Sequence, residues 1–374
     1  MRIVIVAESF LPQINGVANT VRHVADRLKA RGDDLLIIAA GPGPDSYNDI
    51  PVVRARSFGI PGYKEFPVGI PAPEIARAIT DFKPDLVHLA SPVVIGAYAL
   101  RTTRKLDLPT VAVFQTDIAG FARQYPWAAK ADRGAWAWLR RVHSKCDRTL
   151  APSSSAAAQL TQAGVPRVHH WGRGVNLDLF DPAHRDEAWR REISPDGKPI
   201  VGYVGRLAAE KKVRRLTELD PAKHKLVLVG DGPDRATLEQ SLPHATFLGM
   251  RRGDDLARIF ASLDLFVHTG EHETFCQTIQ EAQASGVVAV APAAGGPIDL
   301  IKPGHTGALF DHTAPGALRA AVEDVLADPQ ARQRMATAGL QRVQFRTWPM
   351  VVDDLVNRHY AAVLEGRTAE WRAA

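Results

Sequence analysis

Short apolar runs alternate with amphipathic stretches along most of the chain, a pattern typical of buried strands and of the helices that cover them. In the first half the runs predict strands at Ile3–Val6, Leu35–Ala39, Val52–Arg56, Leu86–Leu89, Thr110–Phe114 and Thr149–Ala151. Helical periodicity predicts helices at Val17–Ala30, Glu74–Asp81, Ile95–Lys105, Trp136–Cys146 and Ser154–Ala163. Such alternation predicts an α/β protein with a parallel, doubly wound sheet.

The alternation stops at 171–182, where glycines, a proline and polar residues replace it. A second series then predicts strands at Ile200–Val204, Leu226–Val229, Thr246–Leu248, Leu263–Val267 and Val287–Ala291, and closing helices at Pro315–Leu326, Gln330–Val343 and Met350–Leu364. We therefore predict a Rossmann-like domain at 1–172, a second at 173–348, and a final helix within 349–374 that crosses back onto the first domain. Ligands of such sheets bind at the carboxyl ends of the strands.

The stretch 271–286 carries the densest polar chemistry. Thr274, three residues before Gln277, predicts a capping box, and Gly286 predicts the end of the helix. A helix that begins at the carboxyl end of a parallel strand offers backbone N–H groups to phosphate. Glu273 and Glu281 stand eight residues apart, roughly 12 Å along a helix, so they are placed to contact different parts of a long ligand.

A second polar turn follows the strand Ile200–Val204. There Gly205 allows close approach of a ligand, Arg206 can fork onto phosphate oxygens, and Lys211 adds a point charge. Taken alone, this turn is equally consistent with a solvated basic loop. The chain has neither the Gly-x-x-x-x-Gly-Lys-Ser/Thr loop nor the Gly-x-Gly-x-x-Gly motif by which many proteins bind nucleotides. It also has no cluster of His, Cys and carboxylate residues at the spacing of metal ligands. A bound diphosphate would therefore be neutralised by side chains and helix ends.

Charge and composition limit the classes of partner that the chain could bind. Residues 1–170 hold 21 Lys and Arg against 14 Asp and Glu, whereas 171–374 hold 25 against 27. The basic residues are scattered, which argues against nucleic acid and favours an anionic surface or small molecule. No 18-residue apolar run and no signal-peptide pattern is present, so we expect a cytoplasmic location. Two cysteines predict neither a disulfide framework nor a zinc site.

Taken together and in their order along the chain, the polar turns and the stretch 271–286 resemble motifs of the retaining glycosyltransferases of family 4, which have the GT-B fold. Glu273 to Glu281 resembles the family's E-x7-E signature, and the turn at Arg206 and Lys211 its diphosphate clamp. Asn15-Gly16 resembles its N-terminal glycine loop, and 173–182 its interdomain segment. Finer segments near 57–63, 84–92 and 115–117 resemble actinobacterial GDP-mannose-dependent α-mannosyltransferases and the related sulfolipid synthases.

The resemblance implies two Rossmann-like domains that face a cleft, and transfer of mannose from GDP-mannose to a lipid-linked acceptor with α configuration. The acceptor would be a glycolipid or of phosphatidylinositol mannoside type, reached peripherally at the inner face of the cell membrane, without a metal, cofactor or protein partner. A UDP-sugar-dependent enzyme that makes a glyceroglycolipid is the alternative within the transferases. A nucleotide-sugar epimerase and a catalytically inactive nucleotide-sugar-binding protein are the alternatives outside them.

The resemblance also implies roles for individual residues. Arg206 and Lys211 would hold the donor diphosphate, Glu273 would bind sugar hydroxyls near the reacting carbon, and Glu281 would bind the ribose. The other implied donor contacts are Gly16, Gly205, Met250, Arg251, Phe275, Cys276, Gln277 and Thr278.

Two features of the first domain leave the roles of their residues open. Gln115 stands where the family often has a histidine that faces the sugar; glutamine can hydrogen-bond a hydroxyl but cannot carry a proton. The alternative is that Gln115 only ends its strand. Tyr63, Asp117 and Trp127 are the candidates for the acceptor or membrane side, since aromatic residues beside cations suit lipid headgroups. The segment 135–146 also combines aromatic and basic residues, and ordinary packing of a helix is the alternative explanation for its pattern.

Overall fold

The computed structural model describes residues 1–13, 15–60, 63–115 and 132–366. The chain divides into two compact units, which we call the first unit (Met1–Arg173 with Trp348–Ala374) and the second unit (Gly174–Thr347). The predicted boundaries, at 172/173 and 348/349, each differ from these divisions by one residue. Arg173, predicted to open the second domain, belongs to the first unit.

The first unit is built on an eight-stranded sheet. In chain order its strands and those of an accompanying hairpin are β1 (Arg2–Ala7), β2 (Asp34–Ala40), β3 (Ser46–Tyr47), β4 (Ile50–Ala55), β5 (Ser57–Ile60), β6 (Tyr63–Gly69), β7 (Leu86–Ala90), β8 (Thr110–Val113), β9 (Arg148–Ala151) and β10 (Val168–His170). The sheet order is β10-β9-β8-β7-β1-β2-β4-β3, parallel except for the pair β3 and β4.

Helices cover both faces of this sheet. They are α1 (Gly16–Ala30), α2 (Pro73–Phe82), α3 (Ile95–Lys105), α4 (Asp132–His143) and α5 (Ser154–Gln162). Alternate residues of β1 enter different cores: Ile5 packs in the cluster that includes α1, and Val6 in the cluster that includes α2 and α3. Because both faces are covered, the strand is a continuous apolar run.

The sequence pattern predicts no strand between Val52–Arg56 and Glu74–Asp81, but β5 and β6 form an antiparallel hairpin there. Aromatic and β-branched residues in these two segments favour strands. Gly59 and Pro67 pair with each other across the hairpin, and proline is tolerated in edge strands.

The second unit repeats the plan with six strands: β11 (Ile200–Val204), β12 (Lys225–Val229), β13 (Thr246–Gly249), β14 (Leu265–Val267), β15 (Ala289–Pro292) and β16 (Gly307–Phe310). Their order is β13-β12-β11-β14-β15-β16, and every pair is parallel. The helices are α6 (Glu187–Ile193), α7 (Arg235–Ser241), α8 (Gly253–Ala261), α9 (Gln277–Ala284), α10 (Pro297–Leu300), α11 (Ala317–Ala327) and α12 (Pro329–Val343), with short 3₁₀ turns at Pro182–His184, Ala209–Lys211 and Val213–Glu218.

The C-terminal segment packs within the first unit. It begins with α13 (Trp348–Asp354), widens into a π-helical turn at Leu355–Tyr360 and stays helical to residue 366. Arg27 of α1 donates to both carboxylate oxygens of Asp353, at 3.0 and 2.6 Å, and the buried Tyr360 hydroxyl lies 2.8 Å from His88 Nδ1. The predicted fold class of two Rossmann-like units is confirmed. Among the described helices, none is long and apolar enough to cross a membrane.

Candidate active site

In each sheet the strand order reverses at one place, and parallel sheets bind ligands at the carboxyl edge of that place. In the second unit the chain runs from β11 outward to β13, then returns to β14 and runs outward to β16. The reversal therefore lies between β11 and β14. The turns that follow these two strands carry Arg206 and Lys211 on one side and Glu273 on the other.

A buried tyrosine of β11 holds the turn that follows this strand. Tyr203 is fully buried, and its hydroxyl donates to the backbone carbonyl of Arg206 at 3.0 Å. The Arg206 side chain is 28% exposed, and Nη1 lies 3.7 Å from Oε1 of Glu210. Fixing the backbone while the guanidinium stays partly exposed places a cation at the carboxyl edge of the sheet.

Gly230, after β12, completes this turn. Its φ is +133°, and a Cβ at this position would lie 1.9 Å from the carbonyl oxygen of Gly205. Only glycine allows so close an approach of two backbones. The turn that carries Arg206 therefore packs directly on the next turn of the sheet.

Lys211, Glu273 and His268 form one charged cluster. Lys211 Nζ donates to Oε1 of Glu273 at 2.5 Å, and His268 Nε2 lies 3.3 Å from the same oxygen. Thr269, which is fully buried, donates to the carbonyl of Lys211 at 2.6 Å and anchors the turn. The His268 ring stacks on Tyr203 at 6.5 Å between centroids. The carboxylate is thus held between two basic side chains from both sides of the reversal point.

The electrostatics of this cluster keep all three groups charged. Burial raises the pKa of Glu273, but the charges of Lys211 and His268 outweigh it and hold the pKa well below its ordinary value. Burial lowers the pKa of Lys211, and Glu273 more than compensates, so the pKa rises. Burial also lowers the pKa of His268, while Cys276 and Glu273 raise it to about 9. The cluster therefore offers an ionised carboxylate of fixed orientation across the neutral pH range.

The capping box predicted at Thr274 is wrong. The N-cap of α9 is Cys276, in the left-handed region at φ +80°, and its side chain makes no capping hydrogen bond. The preceding turn is set by backbone contacts: Gly296 N–H donates to the carbonyl of Glu273 at 2.7 Å, and a Cβ on Gly296 would lie 2.2 Å from the carbonyl of Phe275. The helix therefore starts at Gln277 rather than after Thr274, and it ends before Gly286, at φ +71°, as expected.

The remaining donor-side candidates lie on α9 and after β13. Glu281 is on α9, and burial raises the pKa of its carboxyl to about 7. Gln277 donates its side-chain amide to the carbonyl of Gly174 at 2.8 Å. Met250, 56% exposed, and Arg251, also exposed, follow β13, two strands from β11 and so about 10 Å along the sheet edge.

In the first unit the order reverses between β1 and β7, and Gly16 and Gln115 lie at the carboxyl edge. Gly16 is the first residue of α1, whose N-cap Asn15 accepts from the N–H groups of Val17 and Ala18. Arg173 joins the two candidates: Nη2 donates to Gln115 Oε1 at 3.3 Å, and a Cβ on Gly16 would lie 2.9 Å from Nη1. Tyr63 is in β6, with its side chain outside the described part, and Asp117 and Trp127 lie outside the described residues.

Sequence reasoning missed three residues that the structure brings to these edges, namely His268, Tyr203 and Arg173. His268 directly follows β14, and its position at the end of a buried strand was the available signal. Tyr203 lay within an apolar run, where it resembled core. Arg173 is only 8% exposed, and nothing in the sequence pattern indicated that an arginine at a domain boundary would be buried.

Comparison with known proteins supplies the family. Residues 14–179 match the family model described as Glycosyltransferase Family 4, and residues 185–342 match that described as Glycosyl transferases group 1. The chain is 50% identical to the GDP-mannose-dependent alpha-mannosyltransferase of Mycolicibacterium smegmatis, over 98% of this chain and 99% of the relative. It is 30% identical to the sulfoquinovosyl transferase of Arabidopsis thaliana, over 94% of this chain and 71% of the relative.

The fold has counterparts among solved structures. The Anabaena protein HepE, crystallised in complex with UDP, superposes with a TM-score of 0.76 at 19% identity, over 97% of this chain and 100% of HepE. This likeness supports the fold. Both halves of the chain match family models, and the relative of M. smegmatis matches it over nearly the full length, so this protein belongs to glycosyltransferase family 4.

Proposed function

We propose that this glycosyltransferase moves mannose from GDP-mannose onto a lipid-linked acceptor and retains the α configuration. The choice of donor is supported by the relative of M. smegmatis, which is named GDP-mannose-dependent alpha-mannosyltransferase and is 50% identical. The observation that carries the proposal is the cluster at the reversal point of the second unit. There Lys211 and His268 hold Glu273 ionised, at the same carboxyl edge of the sheet as Arg206 and the start of α9.

This cluster suits a sugar diphosphate because its cations exceed its carboxylates. Arg206, Lys211 and protonated His268 face Glu210 and Glu273, and the first turn of α9 adds the positive end of its dipole. An anion placed there meets a net positive charge. We propose that these groups neutralise the donor diphosphate, so that turnover proceeds in the presence of EDTA.

The reaction breaks the bond between the sugar's anomeric carbon and the phosphate oxygen and forms one to the acceptor hydroxyl oxygen. Arg206 and Lys211 stabilise the charge that develops on the departing phosphate, a contribution typically of about 10²–10³ in rate for one such contact. Glu273, oriented by Lys211 and His268, accepts hydrogen bonds from sugar hydroxyls. The acceptor attacks on the face that the phosphate leaves, and a phosphate oxygen takes the acceptor's proton.

The donor is tested by presenting GDP-mannose, UDP-glucose and UDP-galactose to the purified protein side by side, with isothermal titration for binding and nucleotide release for turnover. The proposal predicts tightest binding of GDP-mannose and release of GDP only with a lipid acceptor. Preferential turnover of a UDP-sugar would overturn the donor assignment. Conversion of the sugar nucleotide without acceptor would indicate an epimerase, and binding without any turnover an inactive binding protein.

We propose that the acceptor is reached by peripheral association with the inner face of the cell membrane. Support comes from the basic first half and from α4, where Trp138 is 40% exposed beside the exposed Arg140 and Arg141. Each basic residue near an anionic membrane contributes about 1 kcal/mol. Co-sedimentation with vesicles rich in anionic phospholipid should therefore weaken in a double variant that reverses both arginines to Glu, and stay unchanged in Arg214→Glu of the second unit. Equal binding of both variants would contradict this placement.

The acceptor-side candidates Tyr63 and Trp127 are tested in the same assay. If they anchor the protein, replacing both by Ala lowers vesicle binding with little change in its dependence on salt, because the lost contribution is apolar. Unchanged binding would remove these two residues from the proposed membrane surface.

A further inference from the structure

The guanidinium of Arg173 lies at the reversal point of the first sheet. Its Nη2 donates to Oε1 of Gln115, which follows β8, at 3.3 Å, and its Nη1 lies against Gly16, the first residue of the helix that follows β1. In the sheet, β8 and β1 are the two neighbours of β7. A side chain that contacts residues after both strands therefore stands where parallel sheets bind their ligands.

The backbone beside each of the two side chains is fixed by strand β9. Phe114, the residue before Gln115, donates its N–H to a carbonyl of β9 at 2.8 Å. Trp171, two residues before Arg173, donates its N–H to another carbonyl of β9 at 2.9 Å. Gln115 is 5% exposed and Arg173 is 8% exposed. The contact between them is thus a buried one that the fold itself sets up.

Gly16 makes room for this contact. A Cβ at this position would lie 2.9 Å from Nη1 of Arg173, closer than the roughly 3.5 Å at which non-bonded atoms pack. Any larger residue would push the guanidinium away from its present place. The absence of a side chain at Gly16 is therefore one reason why Arg173 can reach Gln115.

The guanidinium decides which end of the Gln115 amide faces it. Arginine has five N–H donors and no acceptor, so the amide must turn its oxygen toward Arg173, as it does here. The NH₂ group is on the other branch of the amide and is turned away from the guanidinium. A glutamine without such a neighbour can offer either end to a ligand. With Arg173 in place, the end that a ligand meets is the donor end.

We propose that Arg173 is a positioning residue for glycosyl transfer: it binds the oxygen of the Gln115 amide and so directs the NH₂ group to a hydroxyl oxygen of the substrate. A hydroxyl suits this group because the amide is neutral and the charge of Arg173 is directed at the amide. The hydroxyl belongs either to the transferred sugar or to the acceptor. This inference rests on the proposed transferase function, and it gives Gln115 a role beyond ending its strand.

A double-mutant cycle tests whether Arg173 acts through the amide. Arg173→Met removes the guanidinium and Gln115→Met removes the amide, while each keeps a long side chain. We expect each to lower kcat/KM about 5–10-fold, the scale of one hydrogen bond. The double variant should lose no more than Gln115→Met alone, because the two residues act as one unit. Arg173→Lys keeps a cationic donor and should recover part of the loss.

Two further readouts separate positioning from a merely structural role. In both single variants the KM should rise for only one substrate, the donor or the lipid acceptor, and this identifies the molecule that carries the hydroxyl. The Kd for GDP, measured by isothermal titration, should not change. Arg167→Met is the matched control: Arg167 donates to the carbonyls of Ser144 and Cys146 in the same unit, before β10, and its loss should leave kcat/KM unchanged.

All variants are compared with the wild type on the donor that it turns over fastest, so a wrong donor would overturn the proposed function and still allow these ratios to be measured. Wild-type kcat/KM in Arg173→Met would overturn the inference. Additive losses in the double variant would do the same, since Arg173 would then contact the substrate itself. Weaker GDP binding would show that the amide meets phosphate instead of a hydroxyl, and an equal loss in Arg167→Met would reduce the effect to general destabilisation.

Discussion

Glu281 carries a cost in stability, which its proposed role in binding the ribose would explain. Burial raises the pKa of its carboxyl from 4.5 to about 7. The shift of about 2.5 pKa units corresponds to about 3 kcal/mol if fully expressed. The side chain is only half-buried, and solvent screening reduces this to about 1–3 kcal/mol. Ionised Glu281 therefore destabilises the second unit.

The pH dependence follows from the direction of the shift. Between pH 4.5 and about 7 the unfolded chain has lost this proton and the folded chain retains it, so stability falls as the pH rises. Above pH 7 the full cost is present, and below 4.5 it disappears. Glu281→Gln cannot ionise, so the variant should be more stable than the wild type by about 1–3 kcal/mol at pH 8, with the difference shrinking toward zero near pH 4.5.

The same substitution should weaken nucleotide binding, because ribose hydroxyls would lose a charged acceptor. Loss of hydrogen bonds to a charged group costs about 1.5–3 kcal/mol, or roughly 10–100-fold in Kd for GDP. Urea unfolding at several pH values measures the first effect and isothermal titration with GDP measures the second. Glu192→Gln, exposed on α6, is the matched control. A variant that is no more stable at pH 8, or that binds GDP as tightly as the wild type, refutes the reasoning.

Two further predictions concern the charged cluster and the backbone packing of the second unit. Because the pKa of His268 is raised to about 9, its proton contributes stability that is complete below pH 6.5 and lost as the pH rises through 9; urea unfolding should show this decline in the wild type and not in His268→Gln. Gly230→Ala should unfold the second unit or cost at least about 3 kcal/mol, since its Cβ would overlap the carbonyl of Gly205. Gly134→Ala, with open space around it in α4, should be neutral or slightly stabilising in the same thermal melt, and equal melting of the two variants would contradict the packing argument.

The frame of both sheets could be predicted from the sequence because their strands are buried on both faces. The strand predicted at Ile200–Val204 has those bounds in the structure, and the one predicted at Ile3–Val6 extends by one residue at each end. A continuous apolar run leaves little ambiguity about where such a strand lies. The hairpin of β5 and β6 was missed because its Pro and Gly residues signal turns, and only pairing between the two segments shows that they are strands.

The site could be predicted in part, because its residues follow buried strands that the sequence also predicts. Arg206, Lys211 and Glu273 stood out as polar residues after buried strands, and the structure brings Lys211 and Glu273 into contact. The start of α9 could not be predicted from the sequence, because it is set by packing against Gly295 and Gly296 rather than by a local cap. His268 was missed although it stands only five residues before Glu273, because only the folded turn brings the two side chains together.

The central claim is that Arg206 and Lys211 hold the donor diphosphate beside Glu273. The most direct measurement is GDP release from GDP-mannose, with lipid acceptor present, by the wild type, Arg206→Ala and the exposed control Arg214→Ala. The account predicts a loss of about 10²–10³ in kcat for Arg206→Ala, with an unchanged melting temperature and near-normal turnover in the control. Near-normal turnover in Arg206→Ala would contradict it.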